Sequence, residues 1–287
     1  MIVEKIQKLL RLIKFSHTLF ALPFALSSML VASRGLPPLR TTLLILLAMV
    51  GARTAAMAFN RYADWDYDRV NPRTKERAEL ATRTETLILC GAGLAIFFAA
   101  SAALNRVCLL LAPLAACIFL GYSLTKRFTP FSHAFLGLAL ALAPLGAWAA
   151  VRQELASPIP YLLALAVFFW TFGFDLVYAT LDVSVDQKLG LYSFPACFGV
   201  RPSLVVAIVL HGLAWIAWSA FGMAAHLSWP YFTALLAVSF ALAYEHLLCS
   251  SGDPVRVQHA FFHVNSAVSL LLFAGVALSL AIENWPW

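Results

Sequence analysis

PIPYLLALAVFFWTFGFDLVYATLDVSVD, residues 158–186, decides the fold. Residues 158–181 carry one charge in a run long enough, as a helix, to cross the hydrocarbon core of a bilayer. Three aspartates, Asp175, Asp182 and Asp186, gather at its end. Runs of the same kind recur at residues 16–34, 40–60, 85–104, 107–124, 130–152, 202–223, 229–249 and 261–282. Only short polar connections separate them. The pattern predicts an all-α, polytopic membrane protein of about nine transmembrane helices, with residues 1–287 as a single domain.

Composition agrees. Of 287 residues, 62% are hydrophobic and 12% charged, with a mean hydropathy of +0.82, whereas soluble domains carry roughly 25% charged residues. The basic, amphipathic start MIVEKIQKLLRLIKFSHTLF lacks a small-residue cleavage signal and reads as an interfacial helix rather than a signal peptide. Cys90, Cys108, Cys117, Cys197 and Cys249 are isolated, which indicates neither a disulfide framework nor a zinc site. The histidines are scattered too and read as packing or interfacial residues.

Topology follows from the basic residues. With the N terminus in the cytoplasm, that side receives Lys5, Lys8, Arg11, Lys14, Arg61, Arg69, Arg73, Lys75, Arg77, Arg83, Lys126, Arg127, Lys188, Arg201 and Arg256. The opposite side receives Arg34, Arg40, Arg106 and Arg152. This positive-inside bias places both aspartate-rich helix ends at the cytoplasmic face of the inner membrane. It also assigns the net charge of +6 to membrane loops rather than to nucleic-acid binding.

Six of the seven aspartates fall in two clusters, the second being the one quoted above and the first Asp64, Asp66 and Asp68 in NRYADWDYD. Carboxylates at membrane depth are costly unless they are paired or hold a cation. Asn60, Asp64 and Asp68 are spaced i, i+4, i+8 and share a helical face, while Asp66 points elsewhere. Asp175, Asp182 and Asp186 are spaced i, i+7, i+11, with Tyr178 beside them. Two carboxylate stripes suit Mg²⁺, which binds through a few carboxylates and substrate phosphate oxygens. Arg53 lies two turns before Asn60 and points toward the same place. Tyr122, Lys126, Arg77 and Lys188 supply groups for a diphosphate. Arg69, Arg73, Lys75 and Arg83 read equally well as loop charges that set topology.

These motifs resemble those of the UbiA superfamily of intramembrane prenyltransferases. The family's NDxxDxxxD is matched by Asn60, Asp64 and Asp68, its DxxxD with upstream Asp and Tyr by Asp175, Tyr178, Asp182 and Asp186, and its YxxxK by Tyr122 and Lys126. The similarity extends through FSHTLFALPFAL, MAFNRYADWDYDRVNPRTKER, YSLTKRFTPFSHAFLGLALALAPLGAWAAV and AFFHVNSAVSLLLF. It implies helices around a central cavity, Mg²⁺ as cofactor held by Asp64, Asp68, Asp182 and Asp186, and transfer of a polyprenyl group from polyprenyl diphosphate to an aromatic acid such as 4-hydroxybenzoate. Lys126 and Arg77 would neutralise the departing diphosphate and Arg53 would meet the acceptor's carboxylate. The family's Asp after the Asn is here Arg61, and with NPRTKER this resembles a branch that includes hydroxynaphthoate-prenylating enzymes of futalosine-pathway menaquinone synthesis. An ion-coupled transporter is the alternative from another class; it predicts aspartates at mid-helix and gives no reason for Tyr122 and Lys126 beside them.

Overall fold

The computed structural model describes residues 20–75, 80–250 and 252–283. The helices are α1 (Leu22–Ser33), α2 (Leu39–Ala63), α3 (Trp65–Val70), α4 (Arg83–Leu104), α5 (Arg106–Thr125), α6 (Ser132–Arg152), α7 (Ile159–Ala179), α8 (Val183–Lys188), α9 (Phe194–Phe198), α10 (Val200–Ala224), α11 (Trp229–Ser250), α12 (Pro254–His259) and α13 (Asn265–Glu283). No strand occurs among the described residues. A 3₁₀ turn, Thr180–Asp182, joins α7 to α8, and a π turn, Ala260–Val264, joins α12 to α13.

Among the described residues, eight helical segments are long and apolar enough to cross a membrane, the longest being Ile159–Lys188 and Pro254–Ile282. The ninth expected span, residues 16–34, is described from Phe20 onward, where its helix is the 12-residue α1. It is buried along most of its length between α6 and α13 and stops at Arg34, whose φ of 53° turns the chain. The interfacial helix expected at the start of the chain lies outside the described residues. Leucine, isoleucine and phenylalanine side chains such as Leu110, Leu114, Ile208, Ile216 and Phe240 face outward, as lipid-facing surfaces require.

Where lipid is the solvent, helices associate by close packing and hydrogen bonds rather than by expulsion of water. The α2–α4 contact uses Gly51 and Gly93, where an added Cβ would stand 2.8 Å from the partner glycine's carbonyl oxygen. The turn from α4 to α5 rests on Asn105. Its side chain accepts the Cys108 N–H at 2.9 Å and donates to the Ala149 carbonyl at 2.9 Å, tying the hairpin to α6. At its other end α4 starts with a capping box between Thr82 and Glu85. The second half is built on buried aromatics: Trp170, Phe174, Trp218 and Phe24 fill the space between α1, α7 and α10.

Candidate active site

Both aspartate motifs sit where a long helix gives way to a short one. Helix α2 ends at Asp64, whose φ of −92° and ψ of 11° leave helical geometry, and α3 begins at the next residue. The register survives the break, because Asp64 N–H reaches the Asn60 carbonyl at 2.9 Å and Asp68 N–H the Asp64 carbonyl at 2.7 Å. Asn60, Asp64 and Asp68 therefore stay on one side. In the second motif the 3₁₀ turn ends at Asp182 (φ −108°, ψ 3°) before α8 starts. The tighter turn brings Asp182 and Asp186 inward together, and both are buried.

The two motifs face each other across a cavity of about 260 Å³. Every carboxylate in it has a polar partner. Asn60 Nδ2 donates to Asp64 Oδ2 at 2.9 Å. Arg61 is buried, pairs with Asp68 and donates to Asn60 Oδ1 at 2.5 Å. Arg73 pairs with Asp182, with its Nε 2.9 Å from Oδ1, and also donates to the Tyr178 hydroxyl at 2.6 Å. Lys126 Nζ stands 3.0 Å from both oxygens of Asp186. His133 Nδ1 donates to Asp175 Oδ2 at 2.6 Å, and its Nε2 accepts the Phe194 N–H.

Burial pushes the Asp64 carboxyl up to about 6, against the Arg61 guanidinium, which pulls it down. A carboxyl made costly to ionise in this way is one that a cation would return to its charged form. Burial is the largest single influence on Arg73 and lowers it, yet the hydrogen bonds and charge pairing with Asp182 and Tyr178 together outweigh burial and raise it above the ordinary guanidinium range, so it stays charged. The donors that meet here are carboxylate and amide oxygens, the hard set that magnesium takes. Among the described residues no three acids converge to ligating distance as they stand, since each is drawn to its own partner. A divalent ion held here would take over from those partners.

The cavity collects Asn60, Asp64, Asp68, Tyr122, Lys126, Asp175, Tyr178, Asp182, Asp186 and Arg53 from the sequence reading. Lys188 is not among them. Its side chain is exposed at the end of α8, whose inward face is carried by Val185 and Asp186. Arg77 lies outside the described residues. Asp66 faces away, as its spacing indicates, and makes a surface contact with Arg83 at 3.4 Å.

Several site residues escaped the sequence reading. Arg73 reads there as an ordinary loop charge, but Asn71-Pro72-Arg73-Thr74 forms a turn that delivers it. Asn71 Oδ1 accepts the Arg73 N–H at 2.9 Å, Thr74 N–H closes on the Asn71 carbonyl at 3.0 Å, and Asn71 Nδ2 reaches Asp182 at 3.2 Å. The Asn-Pro step is the local signal of such a turn. His133 reads as a packing residue because nothing in the sequence places the start of α6 against Asp175.

A second cavity, of about 380 Å³, lies beside the first, and its walls are almost wholly apolar side chains of α2, α4, α5 and α6. Arg53, Met57, Tyr122, Leu136 and Leu140 line both. A charged mouth thus meets a greasy chamber at Arg53 and Tyr122.

The model of the UbiA prenyltransferase family matches residues 21–267. The 4-hydroxybenzoate octaprenyltransferase of Cupriavidus necator is 32% identical over 280 residues, covering 96% of this chain and 97% of its own. That of Nitrosospira multiformis is 31% identical, covering 96% of each. Among solved structures, the apo form of a UbiA homolog from Aeropyrum pernix K1 superposes with a TM-score of 0.83 at 33% identity, over 91% of this chain and 97% of that one. A UbiA homolog from Archaeoglobus fulgidus, solved bound to DMAPP and Mg²⁺, shares the fold with a TM-score of 0.69 at 22% identity, over 94% of this chain and 99% of that one. The chain belongs to the UbiA prenyltransferase family.

Proposed function

We propose that this prenyltransferase moves a polyprenyl group from polyprenyl diphosphate onto 4-hydroxybenzoate, on the route to ubiquinone, with Mg²⁺ as cofactor. The observation that carries the reading is the junction of the two cavities. Paired carboxylates and basic side chains face one way, an apolar chamber the other, and Arg53 and Tyr122 stand between. The names of the relatives support the acceptor and chain type, and the Mg²⁺ bound to the A. fulgidus homolog supports the metal.

In this reading Asp64, Asp68, Asp182 and Asp186 hold the metal, with Asn60 and Asp175 beside them. Bound there, Mg²⁺ would stabilise the negative charge that builds on the departing diphosphate. Lys126 and Arg73 add fixed positive charge at the same oxygens, and Tyr122 and Tyr178 add hydroxyl donors, which favours the state in which that charge is fully developed. The bond between the allylic carbon and the diphosphate oxygen breaks. The new carbon–carbon bond forms to the acceptor's ring carbon next to its phenol, and that carbon then loses its proton. Arg53 orients the acceptor through its carboxylate. The apolar chamber keeps water from the electrophilic carbon and accommodates the chain.

The transporter reading needs aspartates at mid-helix, whereas Asp64 and Asp182 stand at helix breaks. The basic loops support a cytoplasmic N terminus and a site open to the cytoplasm from the inner membrane. Purified enzyme incubated with labelled prenyl diphosphate and a panel of aromatic acids, with and without Mg²⁺, tests the proposal. A metal-dependent product with 4-hydroxybenzoate and release of diphosphate is expected. Product with a hydroxynaphthoate alone would reassign the acceptor, and no product with any acid would overturn the reading.

A further inference from the structure

Behind the site, away from every group assigned above, three polar side chains are fully buried together: Glu245 on α11, Asn265 at the start of α13 and Trp170 on α7. Asn265 Nδ2 donates to Glu245 Oε1 at 3.0 Å, and Asn265 Oδ1 accepts the Trp170 indole N–H at 2.8 Å. In lipid such a cluster is costly, and no water stands ready to replace a lost partner. Asn265 makes one further bond. Its amide donates to the carbonyl of Ala260 at 3.3 Å, across the π turn Ala260–Val264. Turns of this width are rare and concentrate at functional sites.

What the turn presents is Phe261. Its ring stacks on Tyr178, with centroids 3.9 Å apart and planes 22° from parallel. The hydroxyl of Tyr178 in turn accepts from Arg73, which pairs with Asp182. An unbroken series of contacts therefore runs from Glu245 to the charged mouth. We propose that Asn265, seated by Glu245 and Trp170, is a positioning residue for diphosphate binding: it fixes the π turn so that Phe261 holds Tyr178, and through it Arg73, in place. This rests on the diphosphate reading of the cavity. The bland alternative is that the cluster merely glues α7, α11 and α13 together.

The two differ in what they couple. The full-length enzyme in lipid nanodiscs, with Mg²⁺, is titrated with geranyl thiodiphosphate, an analogue that binds without reacting, and KM for the acceptor and thermal stability are followed in parallel. Asn265→Ala is expected to weaken analogue binding roughly tenfold, the worth of one lost hydrogen bond in this setting, while acceptor KM stays within about twofold. Glu245→Gln, which keeps the accepting oxygen, should bind within about threefold of the parent and Glu245→Leu roughly tenfold worse. Because Asn265 and Tyr178 act through one path, Asn265→Ala with Tyr178→Phe should bind no worse than the weaker single variant. Multiplying effects in that cycle, or lowered stability with unchanged binding, would overturn the inference. Should Asn265→Ala fail to fold, Phe261→Leu takes its place in the cycle, with the same criterion. If the parent enzyme itself does not bind the analogue, the diphosphate reading falls and takes the inference with it; if only the cycle fails, that reading stands.

Discussion

Asp64 and Asp182 occupy equivalent stations, each at the residue where a long helix gives way to a six-residue one. Asparagine at either position keeps the shape and the hydrogen-bonding oxygen but removes the charge that a cation needs. Asp64→Asn and Asp182→Asn are each expected to lower kcat by about 10²-fold or more, in line with the loss of one strong electrostatic contribution to a developing anion. The variants should insert and run as a single species by size exclusion; near-parental turnover in both would remove these residues from the mechanism. Helical spacing in the sequence was enough to group Asn60, Asp64 and Asp68 and to set Asp66 aside. It was silent on Arg73, because a basic residue that sets topology and one that meets a carboxylate 109 positions away look alike until the chain folds.

The helices themselves were legible because length and hydropathy suffice where lipid is the solvent. Their interruptions were not. Neither Asp64 nor Asp182 is flanked by the glycine or proline that announces a break, and the π turn falls within an apolar run with no signal at all. The stretch AELATRTE reads as loop until its end, yet Thr82 and Glu85 close a capping box that starts α4. Packing between elements is equally hidden, since Gly51 and Gly91 are indistinguishable on paper. In the fold Gly51 touches α4, with the Phe97 nitrogen only 2.7 Å from an added Cβ, whereas a Cβ at Gly91 meets nothing. Gly51→Val is therefore expected to destabilise by about 1–3 kcal/mol through overpacking, seen as a lower thermal midpoint, and Gly91→Ala to leave it unchanged. Equal midpoints for the two would mean that α2 and α4 do not pack this closely.

For the whole molecule, orientation is the property that chemistry alone leaves open and that labelling can decide. Cys197 is exposed on α9, between the second aspartate motif and α10, and so lies at the same end of the bundle as the charged cavity. A membrane-impermeant maleimide should modify Cys197 in inside-out membrane vesicles and leave it untouched in right-side-out ones, with Cys197→Ser as the blank. The reverse pattern would turn the site to the outer face and contradict the charge bias of the loops.

The pairing of Arg61 with Asp68, Arg73 with Asp182 and Lys126 with Asp186 has a thermodynamic corollary. If the proposed function holds, a metal ion that claims the carboxylates would set the three cations loose, and a diphosphate that claims the cations would set the carboxylates loose. Each ligand thus does part of the other's work in opening the ion pairs, so the two are linked. The factor by which Mg²⁺ tightens diphosphate must equal the factor by which diphosphate tightens Mg²⁺. Under the proposed function each one alone is therefore expected to bind more weakly than in the presence of the other.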